Sequence, residues 1–378
     1  MLPLPLRAFH AATLLRRALG QTTPATAPWD NQEPIRAELF GGDRLEEHAR
    51  SLAKAQAVTS KPTKGQPLAG QLAENGSTLR EAYRSLQKAI DEGRAITPAA
   101  EWLIDNFHLV EKQIWEIRSD LPSGYYRQLP KLAAGPFAGY PRVFGMAWGF
   151  VAHTDSRFDP EMLLRYTRAY QEEQPLTIGE LWAVSITLRI VLIENLTRIA
   201  RQIVRSRLGR QQADDIADRL LGAGEIAAEP VSLVLAGHAD AALSGAFAVQ
   251  LVHRLRDQDP KVKPALSWLD RRLAEQDMTA DTIVRDVHRR QGASNVTMRN
   301  IITSHRLFSD VSWKEIFERM SLVDFGSYIF IRNLRSGAVW SAGLQPTATV
   351  PEDYEVTFTE DRAVFSRRDG APQGFDHQ

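Results

Sequence analysis

PLTIGELWAVSITLRIVLIENLTRIA, residues 175–200, decides how the rest of the chain is read. Thr177-Ile178-Gly179-Glu180 is a capping box. The Thr hydroxyl and the Glu carboxylate each satisfy a backbone N–H that the first turn of a helix leaves without a partner. From Leu181 to Ile193 the residues are apolar almost all round. A helix with no polar face has to be buried, so this stretch is predicted to be the central helix of a bundle, running to about Leu208. Its thirteen-residue apolar core, interrupted by Thr187 and Arg189, falls short of the roughly 20 residues that span a bilayer.

Working outward, helical periodicity extends from Ile35 to about Asp324. Ile35–Val58 carries Leu39, Leu45, Leu52 and Val58 among charges, and Lys61–Gly70 reads as a Pro/Gly loop. Thr78-Leu79-Arg80-Glu81 is a second capping box, expected to open a helix, and Thr97-Pro98 places a cap before a proline at the first helical position. Leu103, Phe107, Val110, Ile114 and Ile117 then recur at spacings of four and three, the stripe of one long amphipathic helix. Downstream, helices are expected at Gln211–Leu221, Pro230–Arg256, Lys263–Gln276, Asp281–Arg290, Asn295–Phe308 and Trp313–Val323, the last opened by the box Ser312-Trp313-Lys314-Glu315.

Between Leu121 and Phe150, prolines 122, 130, 136 and 141 alternate with glycines 124, 135, 139, 145 and 149, and aromatic rings are interleaved. This density of helix breakers predicts an irregular but fixed connector. Tyr125, Tyr126, Tyr140 and Trp148 there, with Trp340 further on, are candidates for stacking on sugar rings. The alternative, and the favoured one, is that the aromatics pin a bent crossing between helices.

The 378 residues contain 46 Lys plus Arg and 46 Asp plus Glu, so no global field argues for nucleic acid. At 43% apolar and 24% charged, the chain can build a sizeable core. It has no cysteine, which excludes disulfides, thiolate zinc and thiol nucleophiles. Residues 1–33 read as a disordered leader, with an acid-poor targeting peptide as the alternative. No phosphate loop, HExxH or G-x-S-x-G is present.

Three polar groups remain as candidates for chemistry. Asp105 and His108 share a helical face, the spacing of a surface pair more often than of metal ligands. Asp257-Gln258-Asp259 follows a helix and reads as a polar loop. His153–Asp159 reads as capping and turn residues, with a polar pocket as the alternative. Arg198, Arg201 and Arg205 line one helix face; anionic headgroups could bind there, but the nearby Asp214, Asp215 and Asp218 favour a salt-bridged surface.

At Phe325 the period changes from helical to two-residue. Ile329 and Ile331 alternate with Tyr328, Phe330 and Arg332, Arg335-Ser336-Gly337 marks a turn, and strands are expected at Ala338–Ala342, around Tyr354–Thr359 and at Ala363–Ser366. The fold class is therefore mainly α: a helical array with a short antiparallel β segment at its C-terminal side. The expected organisation is a helical domain over 34–324, a partial β-sandwich over 325–370 and a disordered tail over 371–378. Such a small sheet cannot close a core alone, so it is expected to be less ordered than the helices.

Several long phrases carry a resemblance. Pro34–Phe40 through Asp105–Glu111, GYYRQLPKLAAGPFAGYPRVFGMAWGFVAHTDSRFD (124–159), the opening stretch 175–200, and NVTMRNIITSHRLFSDVSWKEIFERMSLVD (295–324) resemble the N-terminal helical region of the bacterial cyclic β-1,2-glucan synthases. GSYIFIRNLRSGAVWSAGLQPTATVPEDYEVTFTEDRAVFSRRDG (326–370) resembles the opening of the β-sandwich in that family's phosphorylase-like module. In the family these regions are separated by membrane spans and a glycosyltransferase module that uses UDP-glucose with a divalent metal. Here they abut at Asp324/Phe325. The resemblance implies an internally deleted form that ends early and carries no catalytic residue, cofactor or metal site of its own. It also implies β-glucan or a full-length synthase as partner, or a role as a helical docking module. A cytoplasmic location follows, with peripheral association with the inner membrane in which the parent family resides.

Overall fold

The computed structural model describes residues 32–61, 68–222, 228–236, 243–256, 258 and 262–321, and the backbone of four strands at 329–332, 339–342, 354–359 and 362–367. The fold is mainly α, as the periodicity requires, with thirteen helices among the described residues.

Helix α1 spans Gly42–Ala55. It is shorter than the predicted Ile35–Val58, because residues 35–40 run as an extended strap whose backbone is satisfied from outside: Ala37 and Phe40 donate to Ala152 and His153 at 3.0 and 3.1 Å. Leu39 and Val58, which lie outside α1, are exposed. Helix α2 spans Leu68–Asp91. Thr78–Glu81 therefore opens nothing, since the helix already runs ten residues upstream and the N–H groups there have intrahelical partners.

The stripe from Leu103 to Ile117 is buried throughout, but on two helices, α3 (Pro98–Asp105) and α4 (Phe107–Asp120). Asn106 breaks them apart: its Nδ2 donates to the Trp102 carbonyl at 2.8 Å and its Oδ1 accepts from Arg306. Thr97 caps α3 as predicted, accepting from Ala100 N.

The proline- and glycine-rich stretch is only partly irregular. It forms α5 (Ser123–Gln128), a two-residue ladder in which β1 (Val58–Thr59) pairs antiparallel with β2 (Lys131–Leu132), and then α6 (Arg142–His153). Gly145 and Gly149 sit inside α6 one turn apart. A Cβ there would meet Gln56 Nε2 at 2.8 Å and the Tyr166 hydroxyl at 3.0 Å, so the missing side chains let α6 seat deeply. Helix α7 (Pro160–Glu173) packs on α1.

The central helix α8 runs from Ile178 to Leu221, 44 residues, so the expected end at Leu208 and the separate helix Gln211–Leu221 are one element. Both halves of the Thr177/Glu180 capping box form, and Gly222 in the left-handed conformation closes the far end. Nearly every residue from Glu180 to Ala200 is buried. Beyond it, Pro230–Arg256 divides into α9 (Val231–Ala236) and α10 (Gly245–Leu255), the latter capped anew by Ser244. Helix α11 spans Lys263–Ala274. The two helices expected within 281–308 are fused in α12 (Ala280–Asp310), and Ser312 caps α13 (Trp313–Met320).

The buried apolar residues form two clusters. The larger gathers α1–α8, the second half of α12 and α13; the smaller joins the end of α8 to α9, α10, α11 and Ile283. The four later strands form two hairpins, β3 (Ile329–Arg332) with β4 (Val339–Ala342) and β5 (Tyr354–Thr359) with β6 (Arg362–Arg367). Their registers place Ile331 opposite Trp340 and Val356 opposite Phe365. The leader to residue 31, the turn at Arg335-Ser336-Gly337, the expected order of the β segment and the tail 371–378 lie outside the described residues.

Candidate functional site

The turn between α6 and α7 is where the sequence places its densest polar cluster, and the structure builds a network around it. Asp155 and Ser156 both adopt left-handed backbone, with φ of 49° and 64°. For non-glycine residues this costs roughly 1–2 kcal/mol each, so the surroundings must hold them. They do. Asp155 accepts from Arg36 Nε at 3.1 Å and from the Thr297 hydroxyl, and Asn300 donates to its carbonyl at 2.9 Å. The Ser156 hydroxyl accepts from Asn195 at 2.8 Å, and its carbonyl accepts from Ser304 at 2.9 Å. Asn195 also accepts from Ile35 N at 2.6 Å, which fastens the N-terminal strap to α8. Asp159 caps α7, accepting from Glu161 and Met162. The arrangement joins four parts of the chain through turn and capping bonds.

One turn of α8 further, Glu194 and Arg198 form a buried ion pair at 2.7 Å, with Asn75 donating to the same carboxylate at 2.8 Å. A second buried pair links the start of α6 to the start of α8, Arg142 Nε to Glu180 at 2.5 Å. Burial pulls the Arg142 guanidinium down, but the hydrogen-bonded Glu180 carboxylate outweighs it and leaves the pKa raised. Glu180 is also the capping-box carboxylate, and Arg198 belongs to the face read from the sequence as salt-bridged.

Of the sugar-stacking candidates, Tyr140 and Trp148 both pack on Phe144, and Tyr126 lies near enough to Tyr140 to feel it electrostatically. The half-buried Tyr125 donates its hydroxyl to the Gly179 carbonyl, and burial drives its pKa up. Tyr126, also pushed up by burial, lies under Lys131 Nζ at 4.3 Å from the ring centroid. Desolvation brings that ammonium down to about 8. Tyr140 is buried and stacks on Phe144 at 5.2 Å. Trp148 packs 5.3 Å from Phe137, and the Arg198 guanidinium sits 5.0 Å from its ring. Trp340 falls in β4, with its side chain outside the described residues.

Asp105 and His108 are exposed at the α3–α4 break, and Asp257 and Asp259 lie outside the described residues. Among the described residues no group of three or more His, Asp or Glu side chains is placed to hold a metal ion. The arginine face is divided: Arg198 is buried, Arg201 approaches Glu74 at 3.5 Å, and Arg205 opens onto a cleft. The neighbouring Asp214 and Asp218 pair instead with Arg254 of α10 at 2.8 and 2.6 Å.

Residues 319–372, from the last turn of α13 through both hairpins, match the domain family described as Glycosyl hydrolase 94, supersandwich domain. Over 325 residues, 84% of this chain, the sequence is 34% identical to cyclic beta-(1,2)-glucan synthase NdvB of Rhizobium meliloti (strain 1021). The chain is thus similar, along most of its own length, to a cyclic β-1,2-glucan synthase. It spans 11% of that synthase's length. The family match lies on the strand segment, and the similarity to the synthase takes in most of the chain. No helix among the described residues is long and apolar enough to cross a membrane.

Proposed function

We propose that this chain is an internally shortened relative of a cyclic β-1,2-glucan synthase that does not form glucan by itself. The observation that carries the reading is the position of the supersandwich match. It begins at residue 319, inside the last turn of α13, so helical body and phosphorylase-like strands adjoin with no intervening module. The polar residues of the best-built site support the same view, since their hydrogen bonds are directed to turns, caps and the strap. On this reading no cofactor belongs to the chain, and it works on the cytoplasmic side of the membrane that holds its relatives. Purified protein incubated with UDP-glucose and magnesium or manganese is expected to release no UDP. Turnover with either metal refutes the proposal.

A docking role is the second reading, and the hairpins favour it. Among the described residues β3–β4 and β5–β6 each pair only internally, and an open strand edge is a template for another strand. A full-length synthase, which carries the rest of such a sandwich, is the partner this implies. Co-purification of tagged chain with that synthase, abolished by deleting 329–367, is the expected result. Calorimetry with β-1,2-linked oligosaccharides tests the other partner, with Tyr125, Tyr126, Tyr140, Trp148 and Trp340 as the rings to substitute.

A further inference from the structure

Between the two cores lies a cleft of about 410 Å³. One wall is a single face of α8, where Gln202, Arg205, Ser206 and Arg210 recur at helical spacing. The opposite wall is the start of α10. The two meet at Gly209, where a Cβ would lie 2.5 Å from the Ser244 hydroxyl, so the absent side chain lets the α10 N-terminus rest on α8 between Arg205 and Arg210.

Three features of this meeting share one electrostatic sign. Neither Arg205 nor Arg210 has a carboxylate within ion-pair distance among the described residues, whereas Arg290 across the cleft is neutralised by Asp286 at 2.7 Å. Burial and the nearby Arg207 push the Arg210 guanidinium below its usual range, only partly offset by Asp214. The carboxylates that line the cleft, Glu33 and Asp286, lie on the side of Arg290, with which both pair. At α10, Ser244 satisfies Phe247 N, while the N–H groups of Gly245 and Ala246 have no acceptor among the described residues. Orphan amides at a helix start, on the positive end of the dipole, favour an anion.

We propose that this cleft binds a phosphate-bearing small molecule, with Arg205 and Arg210 clamping the phosphate and the Gly245 and Ala246 amides completing its shell. Planar guanidinium groups match phosphate oxygens with paired charge-assisted bonds. The volume lies in the range of small-molecule pockets and exceeds the need of one phosphate, so the ligand carries an organic part or a second phosphate. None of the described lining residues belongs to the strand segment, and the proposal does not depend on the proposed lineage role.

Titration calorimetry of the full chain with sodium pyrophosphate is the test. Saturable binding is expected, weakened about tenfold by Arg210→Gln and about tenfold by Arg205→Gln, as loss of a charge-assisted hydrogen bond implies. Arg118→Gln, an exposed arginine on α4, should leave the affinity unchanged, and circular dichroism should show the same helix content in all three variants. No binding, or an equal loss in all three, overturns the proposal. So does capture of the chain by phosphatidylcholine vesicles containing phosphatidylglycerol when pyrophosphate does not bind, because the phosphate recognised would then be a lipid headgroup.

Discussion

His305 on α12 is fully buried, and neither ring nitrogen has a hydrogen-bond partner among the described residues. Burial, with a smaller contribution from Arg189, drags its pKa down from 6.5 to about 3. The native imidazole is therefore neutral at any moderately acidic pH, while the unfolded chain takes up its proton near pH 6.5. Between those two values the unfolded state holds more protons, so stability must fall as pH falls through that window. Each unit of difference is worth about 1.4 kcal/mol, which makes the loss at pH 4 roughly 3 kcal/mol relative to pH 7. His305→Leu removes this titration and the unpartnered ring nitrogen together. At pH 7 the variant should be more stable by about 1 kcal/mol, because a buried polar group without a partner is itself costly. At pH 4 the advantage should widen to roughly 4 kcal/mol. Urea unfolding followed by circular dichroism at the two pH values reads the difference directly, and other groups cancel in the comparison. An advantage that stays the same at both pH values would refute the reasoning, since the native histidine would then titrate as the unfolded one does.

Arg142→Met leaves the Glu180 carboxylate buried without its cation and should lower unfolding stability by about 3–5 kcal/mol. Arg142→Met/Glu180→Leu should lose clearly less than the two single changes together, and additive losses in urea unfolding would rule out the coupling. Asn195→Ala strips partners from Ile35 N and the Ser156 hydroxyl. Trypsin should then cut after Arg36 sooner than in the parent chain, and an unchanged cleavage rate would contradict the strap. Thr177→Ala should cost about 1 kcal/mol, whereas Thr78→Ala, in an identical Thr-x-x-Glu pattern, should stay within about 0.5 kcal/mol. Equal effects would place a helix start at Thr78.

Reading the chain residue by residue recovers what nearest neighbours decide. The box at Thr177, the cap at Thr97-Pro98 and the cap at Ser312 are legible because a side chain meets a backbone N–H within three residues. The strand Tyr354–Thr359 is legible because alternation is local too. The burial of Leu181–Ile193 follows from its composition alone. Of the candidate site, the capping duty of Asp159 could be read in advance. The left-handed backbone of Asp155 and Ser156 could not, because it is held by Arg36, Asn195, Asn300 and Ser304 from distant parts of the chain.

Only the tertiary structure decided where helices join and which charges go inside. Thr78 resembles a cap until the helix is seen to begin at Leu68, and the expected breaks in α8 and α12 vanish because packing on both sides rewards continuity. Asn106 does the reverse, breaking a perfect stripe through a bond from Arg306, 200 residues away. Glu180 is legible as a capping residue but its pairing with Arg142 is not; the two charges can be buried only because folding delivers each to the other. Arg205 looks like a member of a salt-bridged face, yet it opens onto a cleft beside the start of α10 while the nearby acids Asp214 and Asp218 turn to Arg254. A local pattern fixes the preference of a short segment, but the free energy of a charge depends on everything that surrounds it, and that is known only once the chain has closed on itself.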